Sequence, residues 1–156
     1  MSAKPTPAAR SSATPYIIVD GADRAIEFYK TSFGAIELVR LTDGSGKVQH
    51  AELLIGSAAL MLADEFPEMG YRSPKTLGGS AVSLLLYVAD VDAFVARALA
   101  GGATVTAAVA DTFDGDRRGT LTDPFGHIWL LATKREDVSY DELRKRFASV
   151  TAQGEA

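Results

Sequence analysis

VDGADRAIEFYKTSFGA, residues 19–35, and VADVDAFVARALAGGA, residues 88–103, decide the fold between them. Each reads as the end of a β-rich segment, then a helix with one apolar face, then a glycine stop. In the first, Ile26, Tyr29 and Phe33 recur at i, i+3 and i+7, while Asp23 and Glu27 suit the positive end of the helix dipole. Gly34 stands where a left-handed C-terminal cap is wanted. In the second, Asp90 or Asp92 starts the helix. Val91, Phe94, Val95, Ala98 and Leu99 form its apolar face, and Gly101-Gly102 ends it. A further pair, LIGSAALMLA at 54–63 and PFGHIWLLA at 124–132, keeps the same offset of roughly 68 to 70 residues. That spacing is too long for a solenoid repeat, and it predicts two copies of one larger unit.

Outward from these helices the chain reads as strands. Pro15 to Asp20 is β-branched and aromatic, Ala35 to Leu41 follows the first helix, and DGSG at 43–46 is a turn. Val48–Ile55 and Ala58–Ala63 read as a hairpin around Gly56-Ser57. The second half offers strands at Ala81–Ala89, Ala103–Val109, Arg118–Leu121 and His127–Ala132. The expectation is an α+β protein of two fused βαβββ modules, 14–64 and 81–133. A flexible arm is expected over 1–13, a proline- and glycine-rich linker loop over 65–80, and a C-terminal helix (about Tyr140 to Phe147) with a tail over 134–156.

Composition narrows the function. The chain has 156 residues, 47% of them hydrophobic, enough for a real core. Lys+Arg 16 against Asp+Glu 20 gives a net charge of −4, so no basic field attracts nucleic acid or anionic lipid. Zero Cys excludes disulfides, thiolate metal sites and cysteine nucleophiles. No apolar run is long enough for a signal-peptide core or a membrane span, so a cytoplasmic protein is expected. No phosphate-binding glycine loop or nucleophile elbow is present.

The stretches Ile26-Glu27-Phe28-Tyr29, Phe33-Gly34-Ala35, His50-Ala51-Glu52-Leu53, Gly115-Asp116-Arg117 and Asp123-Pro124-Phe125-Gly126-His127 carry a family resemblance. With the tail Lys134–Arg146, they resemble the vicinal oxygen chelate superfamily, which includes glyoxalase I, bleomycin-resistance proteins and extradiol dioxygenases. Within it they resemble the PhnB-like branch, except that Asp114 stands where that branch often has an aromatic residue. The resemblance implies that each module curls into a half-open trough, that paired modules enclose a cavity, and that the protein is a homodimer. In metal-dependent members, four cavity side chains hold the metal. The matching positions are Thr14, Ser83, Leu60 or Met61, and Leu130. No imidazole or carboxylate is among them, so neither a metal nor another cofactor is expected.

Other residues offer chemistry. His50 and Glu52, at i and i+2 on a strand, point to one face; a carboxylate beside an imidazole makes a general base, or else a structural polar pair. Tyr16 and Tyr87 share the cavity parity, where a ring contacts an aromatic ligand or simply fills core. His127 reads as a turn cap, Trp129 as core under a helix, and Arg117 as a local ion pair or an anion contact. Arg144-Lys145-Arg146 reads as solvated charge. With only two His, a three-histidine zinc site is impossible. The expected cavity is lined by Tyr16, His50, Glu52, Met61, Ser83, Tyr87 and Leu130. These residues favour a metal-independent binder of a small, mostly apolar organic molecule. The alternatives are a metal-dependent lyase, isomerase or dioxygenase of the same superfamily, or an acid/base catalyst built on His50 and Glu52.

Overall fold

The computed structural model describes residues 13–154. The arm expected over 1–13 lies outside the described residues except for Ala13. The first module runs β1 (Tyr16–Val19), α1 (Ala22–Phe33), β2 (Ile36–Thr42), β3 (Val48–Ile55) and β4 (Ala58–Asp64). The second runs β5 (Ser83–Tyr87), α3 (Val91–Ala100), β6 (Thr104–Asp111), β7 (Asp116–Thr122) and β8 (Ile128–Lys134). Between them stand a 3-10 turn at Pro67–Met69 and a one-turn helix, α2 (Pro74–Leu77); α4 (Tyr140–Ala152) closes the chain. Each module forms a four-stranded sheet, in the orders β1-β4-β3-β2 and β5-β8-β7-β6. The β1–β4 and β5–β8 pairs are parallel and the rest antiparallel. Two βαβββ modules and a C-terminal helix are therefore present, as the duplication implies.

Local chemistry explains the matching helix ends. Asp64 Oδ1 accepts from the backbone N–H of Gly21 (3.0 Å) and Ala22 (2.8 Å), holding the start of α1, while its Oδ2 accepts from Val48 N–H at 2.7 Å. Thr133 takes the corresponding place in the second module: its Oγ1 accepts from Val91 N–H at 2.9 Å at the start of α3. Gly34 ends α1 in the left-handed region at φ 68°.

The two modules share one core. The buried face of α1 meets the back of its own sheet and also the second module. Phe33 packs its ring 4.9 Å from both Phe94 of α3 and Trp129 of β8. Trp129 is buried under α1, in the core role its strand parity predicts. Because α1 and α3 cover one face of each sheet, the other faces turn away from this common core, and no strand of one sheet pairs with the other. The modules of one chain thus present two separate open faces. The open side of β2 carries Ile36, Leu38 and Leu41, and that of β5 carries Leu85 and Tyr87, all exposed.

His127 does not cap its turn. Asp123 does that, accepting from the N–H groups of Phe125 and His127. His127 instead donates from Nε2 to the carbonyl of Ile18 at 2.9 Å, tying the β7–β8 turn to the edge of β1. Arg146 is not simply solvated: its guanidinium grips Glu136 with two bonds, at 2.8 and 2.9 Å, and Glu142 with a third at 2.9 Å. Among the described residues, no helix is long and apolar enough to cross a membrane.

Candidate functional site

The open face of the first sheet gathers four of the residues singled out in the sequence: Tyr16, His50, Glu52 and Met61. Strand pairing sets Tyr16 beside Met61, Met61 beside Glu52, and Glu52 beside Val39, so one row of side chains crosses the sheet. Met61 is on this face, whereas Leu60 is in the core. His50 sits across from Leu41. Its Nδ1 lies 2.8 Å from the Tyr16 hydroxyl, and its Nε2 lies 3.1 Å from Glu52 Oε1. An ionised carboxylate can only accept, so Nε2 carries a hydrogen, and in the neutral imidazole Nδ1 then accepts from the Tyr16 O–H. Tyr16, His50 and Glu52 form one directed chain of hydrogen bonds. The Tyr16 hydroxyl is held above its ordinary pKa of 10.0 by burial first, then by the neighbouring Tyr71 and Glu52.

Beside this chain lies a cleft of about 320 Å³ lined by Tyr16, Ile18, Gln49, Ala63, Asp64, Phe66, Met69 and Tyr71. Its far wall is a loop closed by a backbone bridge between Phe66 and Tyr71. Lys47 places its ammonium 4.7 Å over the Phe66 ring. Nothing in the pattern of residues 65–80 marks Phe66, Met69 and Tyr71 as a wall; only the return of the chain from β4 brings them over the sheet.

The remaining predicted residues lie on the second sheet. Ser83 and Tyr87 stand at the two ends of β5, and Leu130 pairs with Leu85 on the same open face. The Tyr87 hydroxyl donates to Asp116 Oδ2 at 2.8 Å, which raises its pKa above 10.0. Asp116 also accepts from Arg118 at 2.7 Å, and Arg118 reaches Asp114 at 2.6 Å. Arg118, which no pattern in the sequence marks out, therefore organises this face. Arg117 pairs locally with Asp92, at 2.7 and 2.8 Å.

The glyoxalase/bleomycin resistance protein/dioxygenase superfamily model matches residues 11–131. The chain belongs to that superfamily. This member is 43% identical over 145 residues to an uncharacterized protein of Mycobacterium tuberculosis, covering 91% of this chain and 84% of the relative. It resembles the crystal structure of protein PA1353 from Pseudomonas aeruginosa, with a TM-score of 0.65 and 27% identity over 81% of this chain and all (100%) of that one. The fold is also that of the fosfomycin resistance protein FosX from Listeria monocytogenes, solved with Mn(II) and a sulfate ion. That likeness has a TM-score of 0.62 at 15% identity, over 88% of this chain and 97% of FosX.

The superfamily's metal can be tested against the residues at its positions in this member. Thr14 precedes β1, Ser83 opens β5, and Met61 and Leu130 occupy equivalent places on β4 and β8. Two hydroxyls, a thioether and an aliphatic side chain do not fit a hard divalent ion, which needs imidazole or carboxylate donors. Among the described residues, no group of three or more His, Asp or Glu side chains is placed to hold an ion.

Proposed function

We propose that this superfamily member binds a small, mostly apolar organic molecule without a metal, on the open face of the first sheet. The donor chemistry at the four metal positions is the observation that carries this reading. The cleft on that face supports it: Ile18, Ala63, Phe66 and Met69 give apolar walls, and Tyr16, Tyr71 and Gln49 give the few polar groups that orient a ligand. The working unit is a homodimer in which a second copy covers the exposed apolar residues of these faces. Ser83, Tyr87 and Leu130 then meet the ligand from the second sheet. The closer kinship is with the PhnB-like branch, on the strength of Gly115-Asp116-Arg117 and the tail Lys134–Arg146.

Thermal unfolding in the presence of Zn²⁺, Ni²⁺, Mn²⁺ or Fe²⁺ separates this reading from a metalloenzyme. A bound ligand raises the melting temperature by mass action, and about 100 Kd of free ligand is worth about 2.7 kcal/mol. No metal is expected to stabilise the protein, whereas aromatic compounds are, and Tyr71→Ala is expected to weaken that effect. A metal stabilisation lost on His50→Ala or Glu52→Ala would move the metal to β3 and restore the enzyme reading. Sedimentation at micromolar concentration is expected to show a dimer of the 16.5 kDa chain; a lone monomer would remove the second copy from the site.

A further inference from the structure

We infer that Tyr16, His50 and Glu52 form a proton relay that makes the site selective for weakly acidic hydroxyl compounds, phenols or enols, and binds them as oxyanions. The inference rests on the proposed ligand site and adds what that ligand must carry.

With Nε2–H committed to Glu52 and Nδ1 accepting from Tyr16, the Tyr16 hydrogen is already used. What Tyr16 offers the cleft is an oxygen lone pair, so the group that meets it must be a donor. A ligand O–H placed there has a path for its proton. The ligand O–H bond breaks towards Tyr16 Oη as the Tyr16 O–H bond breaks towards His50 Nδ1. Tyr16 ends as a neutral phenol. His50 becomes an imidazolium whose Nε2–H rests on the Glu52 carboxylate. The ligand keeps the electron pair as an oxyanion, now accepting from the O–H of Tyr16, while the new Nδ1–H of His50 donates to Tyr16 Oη. No oxidant or co-reactant enters.

The surroundings suit that charge transfer. From the strands flanking β3, the residues opposite His50 and Glu52 are Leu41, Val39 and Met61, none of them charged. The covering loop brings Tyr71, and the adjoining cleft on the other side of Tyr16 contains Arg72. Lys47 stands over Phe66. The Asp64 carboxylate in the cleft already accepts three backbone N–H bonds. Tyr16 is 47% exposed, so the head of the relay is open to a ligand.

4-Nitrophenol tests the relay because its phenolate and phenol absorb at different wavelengths; 4-nitroanisole has the same ring without the hydroxyl. Bound to the full-length protein between pH 5 and 8, nitrophenol is expected to show a phenolate-to-phenol ratio at least about tenfold above that of the free probe, one pKa unit. Tyr16→Phe should keep the ring wall and the binding of nitroanisole but return the ratio to the free value. His50→Asn should do the same, and Glu52→Gln should lower the ratio without abolishing binding. Nitrophenol that binds yet titrates like the free probe, or keeps its raised ratio in Tyr16→Phe, overturns the relay and leaves the binding site standing. If neither probe binds, the ligand site itself is misassigned and the relay falls with it.

Discussion

Asp123→Ala is expected to destabilise the protein by about 3–5 kcal/mol, the sum of several neutral donors left without their acceptor, partly offset by the removal of a buried charge. Asp123 is 4% exposed and accepts four hydrogen bonds. Oδ1 takes the N–H groups of Phe125 (2.9 Å) and His127 (3.0 Å), which shapes the turn. Oδ2 takes the Tyr29 hydroxyl at 2.6 Å and the Trp129 indole N–H at 2.9 Å. Tyr29 comes from α1, so this one carboxylate ties the first module's helix to the second module's last hairpin. Burial, with the Asp123 charge beside it, holds the Tyr29 hydroxyl well above 10.0, so it stays a donor. An alanine leaves those donors in the core with no water to replace the oxygen, and each such group costs about 1–3 kcal/mol. For a chain of this size the melting temperature should fall by roughly 10 °C. Tyr29→Phe removes one donor with its partner still well occupied, and should cost only about 1 kcal/mol. A loss under about 1 kcal/mol for Asp123→Ala in calorimetry would mean that the carboxylate does not hold the modules together.

The helices were legible because their chemistry is local. The i, i+3, i+7 spacing of Ile26, Tyr29 and Phe33 and the glycine after Phe33 predict a helix over Ala22–Phe33, and the structure has those bounds. α4 extends to Ala152, past the expected Phe147, and its tertiary contacts are not written in its own periodicity. Arg146 is held by Glu136, ten residues back, and the Phe147 ring lies 5.6 Å from that of Phe113, so neither partner shows in the helix's own sequence. The site divides the same way. Parity puts His50 beside Glu52 on one face, but nothing in the sequence joins Tyr16 to His50, 34 residues away. That contact depends on β4 lying between β1 and β3. Tyr16 and Tyr87 were legible as facing the open side, but not as hydroxyls already engaged, by His50 and Asp116.

Phe33→Ala should destabilise both modules together, by about 3–5 kcal/mol. The Phe33 ring is 4% exposed and sits among four others: Phe94 and Trp129 at 4.9 Å, Phe28 at 5.3 Å and Tyr29 at 5.4 Å. Two of these belong to its own helix and two to the other module, so the cavity left by truncation opens on both sides of the boundary. Such a site collapses poorly, because closing it would require the two sheets to move against each other while Asp123 still ties them. Phe33→Leu keeps most of the volume and should cost less, about 1.5 kcal/mol. The chain's one tryptophan, Trp129, stands on β8 against α1 and reports the second module's boundary with the first in fluorescence, while circular dichroism reports all the helices and strands. In urea the two signals should move to a lower midpoint together and remain coincident, because a single core unfolds in one step. Were the tryptophan transition to stay in place while the dichroism shifted, the modules would be independent folding units. The second sheet would then have to be stable without α1, which the burial of Phe33 against Phe94 and Trp129 argues against.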